Sequence, residues 1–223
     1  MERHFEQDLE NLKQLLLSMG SHAEAAVREA TEALLLRDDE RVTVVRDRDN
    51  VIDRLELDVD AAAISLLSRA PLATDLRAVT VAMKVSQNLE RVGDEATKIA
   101  KRAHELNAEP PLKDMVDIAG LSRAALALLK AALDAFVQRD TAAAREIITR
   151  DKAINALNKA IHQQLLDRML ADREVIPRCL NLMVVAKALE RVGDHAANIA
   201  EEVVFLCEAQ DIRHAKNLAP QAA

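Results

Sequence analysis

Leu89-Glu90-Arg91-Val92-Gly93-Asp94 returns unchanged 100 residues later as Leu189-Glu190-Arg191-Val192-Gly193-Asp194. The likeness continues downstream. Leu89 to Ala100 reads LERVGDEATKIA and Leu189 to Ala200 reads LERVGDHAANIA, identical at nine of twelve positions. A repeat at this spacing means a duplicated domain and not a short-period solenoid. Whatever Glu90 and Asp94 do, Glu190 and Asp194 are expected to do as well.

The composition points to helices. Half of the 223 residues are hydrophobic, yet there is no Trp, no Tyr and only Phe5, Phe136 and Phe205 among the aromatics. The apolar residues are Leu, Ala, Val, Ile and Met, and Leu, Ala and Met join Glu, Lys and Arg as good helix formers. Four glycines and five prolines leave few breakers. The chain reads as all-α, in two sequence-related three-helix bundles.

Helical spacing of apolar residues places a first helix at about 4–36, with Arg37-Asp38-Asp39 turning the chain. A second runs over about 40–69, with Val45, Ile52, Leu55, Val59, Ala62 and Leu66 on one stripe. Pro71 ends it, because proline cannot continue the hydrogen-bond ladder. Thr74 is placed as the cap of a third helix over about 75–107, buried along Val81, Val85, Leu89, Val92, Ala96 and Ile99. The segment 108–111 ends in Pro110-Pro111 and forms the boundary, so residues 1–107 make one bundle and 112–210 the other. In the second half a helix is expected over about 112–138, a turn at Arg139-Asp140, a helix to about 170, and a last helix with Pro177 in its first turn. Residues 211–223 are read as a frayed tail.

Several function classes are disfavoured. A net charge of −7 and a pI near 5.4 argue against nucleic-acid binding, which calls for a basic stripe. No stretch approaches the roughly 18 uncharged apolar residues of a spanning helix, and the charged N-terminus has no signal core. A cytoplasmic location is expected, with any membrane contact peripheral and through partners. Cys179 and Cys207 lack metal-type spacing and read as reduced, buried thiols.

The residues able to carry chemistry are carboxylates. Glu90 and Asp94 lie one turn apart on one helix face, where like charges repel by a few tenths of a kcal/mol. A cation would relieve that repulsion, and carboxylate oxygens suit hard metals. Glu190 and Asp194 repeat the pair. Asp49, Asp53, Glu56 and Asp60 form an acidic stripe on the second helix, and Asp151, Asn155, Asn158 and His162 stand at the equivalent places of the fifth. Two readings are open for both groups: a solvated polar flank, or metal ligands facing each other. Wheel geometry places Glu90 and Asp94 nearly opposite Val92, so they are expected to be accessible, with Lys98 a candidate surface partner. Gly93 and Gly193 each cost roughly 1 kcal/mol against Ala in mid-helix. Either a neighbouring helix or room for a ligand would explain the repeated cost.

Enzyme signatures are scarce. There is no glycine-rich phosphate loop. Only Asp211-x-x-His214 comes near the Glu-x-x-His pairs of di-metal oxidase bundles. A metal-dependent oxidase or hydrolase and a purely structural helical protein are the competing classes.

Pro71-Leu72-Ala73-Thr74-Asp75-Leu76-Arg77 leads into Asn88 and the first hexapeptide, and the second copy, Arg139-Asp140 and Asp151 follow in the other half. Together these resemble the PhoU family, phosphate-transport accessory and regulatory proteins of bacteria, over essentially the whole chain. The resemblance implies tandem three-helix bundles and no catalytic activity. It implies a regulator that couples the phosphate ABC transporter, through its ATPase subunit, to a sensor histidine kinase and keeps the starvation response off when phosphate is plentiful. It implies homodimers or larger assemblies. It also implies metal held by Glu/Asp-x-x-x-Asp pairs, met here by Asp49/Asp53, Glu90/Asp94 and Glu190/Asp194 and broken at Asp151/Asn155 by an amide. Iron, zinc, manganese and magnesium are the candidate ions.

Overall fold

The computed structural model describes residues 2–69, 73–113 and 116–213. Among them there is no strand. The chain forms α1 (Glu2–Leu35), α2 (Glu40–Leu67), α3 (Ala73–Asn107), α4 (Ile118–Gln138), α5 (Thr141–Ala171) and α6 (Ile176–Glu208), with a 3₁₀ turn at Arg173–Val175 leading into α6. The protein is all-α. The first three helices pack on one another as one bundle and the last three as a second. No described helix is long and apolar enough to cross a membrane.

The expected apolar stripes are the buried ones. Val81, Val85, Leu89, Val92, Ala96 and Ile99 of α3 are all inaccessible, as are Val45, Ile52, Val59 and Leu66 of α2. Leu55 and Ala62 are only partly buried, at the edge of the same stripe. The bundles also pack on each other, α3 against α6 and α1 against α4, so that one apolar core runs through both. Gly20 marks the α1–α4 approach, since a Cβ there would lie 2.7 Å from Leu133 Cδ1. Farther along, Thr31 Oγ1 and Ser122 Oγ share a hydrogen bond of 2.9 Å in the same seam.

Several local expectations need correction. α4 begins at Ile118, not near Leu112, because the Asp117 carboxylate accepts from Gly120 N–H at 2.7 Å and caps the helix there. Thr74 is the second residue of α3 and not its cap. Cys207 is exposed, whereas Cys179 is buried, and both are free thiols. Pro71 and residues 214–223, with His214, lie outside the described residues.

The two α-turn-α corners share one chemistry. Arg37 and Arg139 both hold a left-handed backbone, at φ 55° and 54°. The next amide bonds back five residues in each, Asp38 N–H to Ala33 O and Asp140 N–H to Ala135 O, both at 3.0 Å. This is the Schellman closure, whose left-handed position normally takes glycine. The Arg37 guanidinium donates to Asn107 O at 2.5 Å and Glu109 O at 2.7 Å, tying the corner to the end of α3. Arg139 makes no such bonds among the described residues. Arg139→Gly is therefore expected to raise the unfolding free energy by about 1 kcal/mol through relief of backbone strain. Arg37→Gly gains the same relief but loses two charge-assisted bonds, for a net loss of about 1 kcal/mol. Urea denaturation of both variants checks the opposite signs.

Candidate functional site

Gly93 is where α2 touches α3. A Cβ at Gly93 would lie 2.9 Å from Asp49 Oδ1 and 3.0 Å from Ile52 Cδ1. At Gly193 it would lie 2.9 Å from Ile154 Cδ1 and 3.3 Å from Asp151 Oδ1. A mid-helix glycine costs about 1 kcal/mol, whereas fully burying an isoleucine is worth about 1.5–3 kcal/mol. The packing therefore outweighs the propensity. The neighbouring helix explains the glycines: it comes close, and it brings an aspartate with it.

In the first bundle this contact gathers Asp49, Asp53 and Glu56 of α2 against Glu90 and Asp94 of α3. Burial holds the Asp49 carboxyl above its usual range, a long contact to the buried Thr97 hydroxyl partly offsets this, and the Asp53 and Asp94 charges add to the rise. Burial raises Glu56, and Asp60, Asp53 and Asp94 reinforce it against the pull of Arg91. Glu90 is raised by burial and then by Asp94, again against Arg91. Arg91 meets Glu90 at 3.4 Å and Asp94 at 3.3 Å from the solvent side.

The second bundle repeats the frame with different charges. Asp151 of α5 faces Glu190 and Asp194 of α6. Asn155, where the first half has Asp53, donates its amide to Asp151 Oδ2 at 2.8 Å. The other oxygen, Asp151 Oδ1, is buried without a hydrogen-bond partner, as are Asn158 Oδ1 and His162 Nε2 two and three turns farther along α5. Lys187 pairs with Glu190. Burial, then the Glu190 and Asp151 charges, push Asp194 up to about 6 against Lys187 and Arg191. Burial also raises Asp151.

Of the two carboxylates expected to be accessible, Asp94 is 40% exposed and Glu90 only 22%, and Glu190, the counterpart of Glu90, is buried. The helical wheel assumes one buried stripe, but α3 is packed by α1, α2 and α6, and α6 by α3, α4 and α5. Lys98 does not reach Asp94. It pairs with Glu95 at 2.9 Å, one residue round the helix and turned toward the other bundle. The sequence reading missed Lys187, whose signal was its place three residues before Glu190, one turn away on the same face.

Among the described residues, no three His, Cys, Asp or Glu side chains are already drawn into one metal-ligating group. The donor chemistry nonetheless fits a hard cation. The carboxylates are mutually repelling and half-desolvated, and Asp151 Oδ1 lacks a partner. Asp49, Asp53, Glu90 and Asp94 would hold an ion in the first bundle, and Asp151, Glu190 and Asp194 in the second.

The raised carboxyl at Asp194 has a signed consequence for the metal-free protein. Between the ordinary value of 3.8 and about 6 the folded state binds more protons than the unfolded one, so stability falls as pH rises through that window. Asp194→Asn removes the buried charge. It is expected to flatten the decline between pH 4 and pH 6.5 and to raise the melting temperature above about pH 6. Thermal melts across pH, with chelator present, check this.

The PhoU domain family model matches residues 16–103 and 118–203, one copy in each bundle. The phosphate-specific transport system accessory protein PhoU homolog of Pseudomonas aeruginosa is 35% identical over 95% of this chain and 88% of its own. The phosphate-specific transport system accessory protein PhoU of Serratia marcescens is 33% identical over 94% and 87%. The crystal structure of PhoU from Pseudomonas aeruginosa superposes with a TM-score of 0.89 at 34% identity, covering 92% of this chain and all of that one. That of the phosphate transport system regulatory protein PhoU from Streptococcus pneumoniae gives 0.87 at 26% identity, covering 93% and 99%. Matched by sequence and by fold along nearly its whole length, the chain belongs to the PhoU family.

Proposed function

We propose that this chain is a non-enzymatic accessory regulator of phosphate uptake, an adaptor between the phosphate ABC transporter and a sensor histidine kinase. It keeps the phosphate-starvation response off when phosphate is plentiful. The observation that carries the reading is family membership through both repeats, with relatives named as accessory proteins of the phosphate-specific transport system. The architecture supports it. Helices of 28 to 35 residues in the first bundle present faces about 40–50 Å long, suited to docking partner helices and domains. Cytoplasmic location and a homodimeric state belong to the same proposal.

The carboxylate groups supply the tuning element. Asp49 and Asp53 approach Glu90 and Asp94 across the α2–α3 contact, and Asp151 approaches Glu190 and Asp194 across α5–α6. A bound divalent or multinuclear metal would cancel the repulsion and cross-link each helix pair. The helices then hold their outer faces in one arrangement for a partner.

The expected outcome is that the chain is captured by both the transporter ATPase subunit and the kinase, and retains metal through gentle purification. Asp94→Asn with Asp194→Asn is expected to lose the metal and weaken partner binding by about tenfold, the loss of roughly 1.4 kcal/mol. Elemental analysis and surface-immobilised binding measure the two. Undiminished partner binding by the metal-free double variant would reject the tuning role. Failure to capture either partner would reject the adaptor.

A further inference from the structure

The two bundles meet at both ends of the α3–α6 seam, and the repeat puts matching residues at each end. One end holds a cavity of about 180 Å³ lined by Leu34, Leu35, Arg37, Leu106, Arg178 and Leu182. The other holds a cavity of about 270 Å³ lined by their counterparts in the other repeat, Phe136, Val137, Arg139, Leu206, Ala78 and Ala82. The chain itself walls the first cavity. Pro110, Pro111 and Leu112 run along it, Arg37 donates to Asn107 O and Glu109 O, and Arg178 donates to Pro110 O at 2.9 Å. Leu112 packs on the core beside them. Two arginines thus hold an extended, proline-bearing segment by its carbonyls.

Among the described residues, the second cavity has the same frame and no such segment. Its remaining wall is the start of α1, through Leu9, Leu12 and Leu16. The chain leaving α6 turns elsewhere, with Arg213 on Glu202 at 3.4 Å. Ala78 and Ala82 stand where Arg178 and Leu182 narrow the first cavity, which leaves the larger space. Arg139 has the left-handed backbone of Arg37, yet its guanidinium makes no hydrogen bond or ion pair among the described residues. Two bonds offset the strain at Arg37, and no described residue offsets it at Arg139. The rim adds Glu6, Glu10, Asp75 and Lys13, none of them in an ion pair among the described residues.

We propose that the second cavity docks an extended, proline-bearing segment of a partner protein, with a leucine-sized side chain entering the space beside Ala78 and Ala82. This rests on the adaptor reading above for the existence of a partner and makes no use of metal. The segment in the first cavity shows what the frame accepts. Arg139 has five N–H donors with which to take carbonyls as Arg37 does. Phe136, Leu12, Leu16 and Leu206 give an apolar floor on which a leucine leaves water. With Arg139 on carbonyls, Lys13 alone faces Glu6, Glu10 and Asp75. A basic residue beside the leucine therefore meets opposite charge, as Lys113 would after Leu112. An extended proline segment is also ordered before it binds and loses little freedom on docking.

The probe is an end-blocked peptide of residues 105–113, ELNAEPPLK, titrated into the isotope-labelled whole chain and followed by NMR. The first cavity keeps its tethered segment, so the peptide is expected to bind at the second. Saturable shifts should centre on Ala78, Ala82, Phe136 and Leu206. Ala78→Arg with Ala82→Leu, which installs the side chains of the other repeat, is expected to weaken peptide binding by about tenfold or more. Arg139→Gly, expected above to fold more stably, should weaken it by a similar factor. It decides the question even if the filled variant folds poorly. Excess peptide is expected to displace at least one captured partner, the transporter ATPase subunit or the kinase. Shifts centred elsewhere, affinity unchanged by the substitutions, or capture of both partners undisturbed by excess peptide would overturn the proposal. So would peptide binding that appears only after residues 214–223 are removed, which would assign the cavity to the chain's own C-terminal segment. A chain that binds the peptide at the cavity but captures neither partner would reject the adaptor and not the peptide site.

Discussion

Antiparallel packing of α3 on α6 is the contact on which the rest of the molecule is built. Every other helix lies on one of these two. The seam is polar as well as apolar, and its polar groups are desolvated. Glu95 and Glu202 are each 4% exposed, and each is matched across the seam, Glu95 by Arg191 and Glu202 by Lys84 at 3.0 Å. Asn88 Oδ1 between them meets His195 Nδ1 at 3.0 Å and the Asn198 amide at 3.2 Å. A buried carboxylate that loses its partner costs several kcal/mol, so these pairs forbid sliding and fix the register of the two bundles. The seam relates the repeats by an approximate local two-fold axis. Where one end has the Glu95–Arg191 pair, the other has His195 beside Arg91. Burial lowers the His195 pKa, partly countered by Glu95 and reinforced by Arg91, Arg191 and Lys98. A neutral imidazole avoids the like-charge contact that a protonated one would make with Arg91.

A helix central to a bundle has little free surface, and this shapes the site. With α6 and α1 on two sides of α3, the groove toward α2 is where Glu90 and Asp94 can emerge, and Gly93 lets α2 close on it. The carboxylates are therefore neither at the bundle centre nor on open surface. Glu90 is desolvated enough to lie above its usual pKa, as are Asp49 and Glu56 across the contact, and the group still reaches solvent.

Much of this was legible in the sequence. The repeated hexapeptide carries the duplication, and apolar spacing places helices whose ends, the start of α4 apart, fall within a few residues of those observed. The acidic stripe of α2 and the pairs of α3 and α6 were named before their meeting could be seen. Helix-to-helix facts were not legible. A wheel drawn for α3 alone does not show that three neighbours cover it, which is why it places Glu90 in the open. The start of α4 turned on whether the Asp117 side chain bonds Gly120 N–H, a choice made by local geometry and not by periodicity. That Lys98 would turn to Glu95, and Arg91 to Asp94, depended on where α6 lies.

The duplication makes each bundle a control for the other. The hexapeptide is identical in both, so it cannot account for any difference between the two carboxylate groups. The difference lies in what faces it and flanks it. Asp53, Glu56 and Asp60 on α2 become Asn155, Asn158 and His162 on α5, Gln87 becomes Lys187, and Thr97 becomes Ala197. These changes keep the glycine contact and the isoleucine beneath it, Ile52 in one half and Ile154 in the other, both buried. Packing has thus been held while charge has been altered. A fold that needed both acidic groups only for stability would give no reason to fill one with amides and a lysine and leave the other strongly anionic. The two bundles thus share one packing frame and differ in charge at equivalent places.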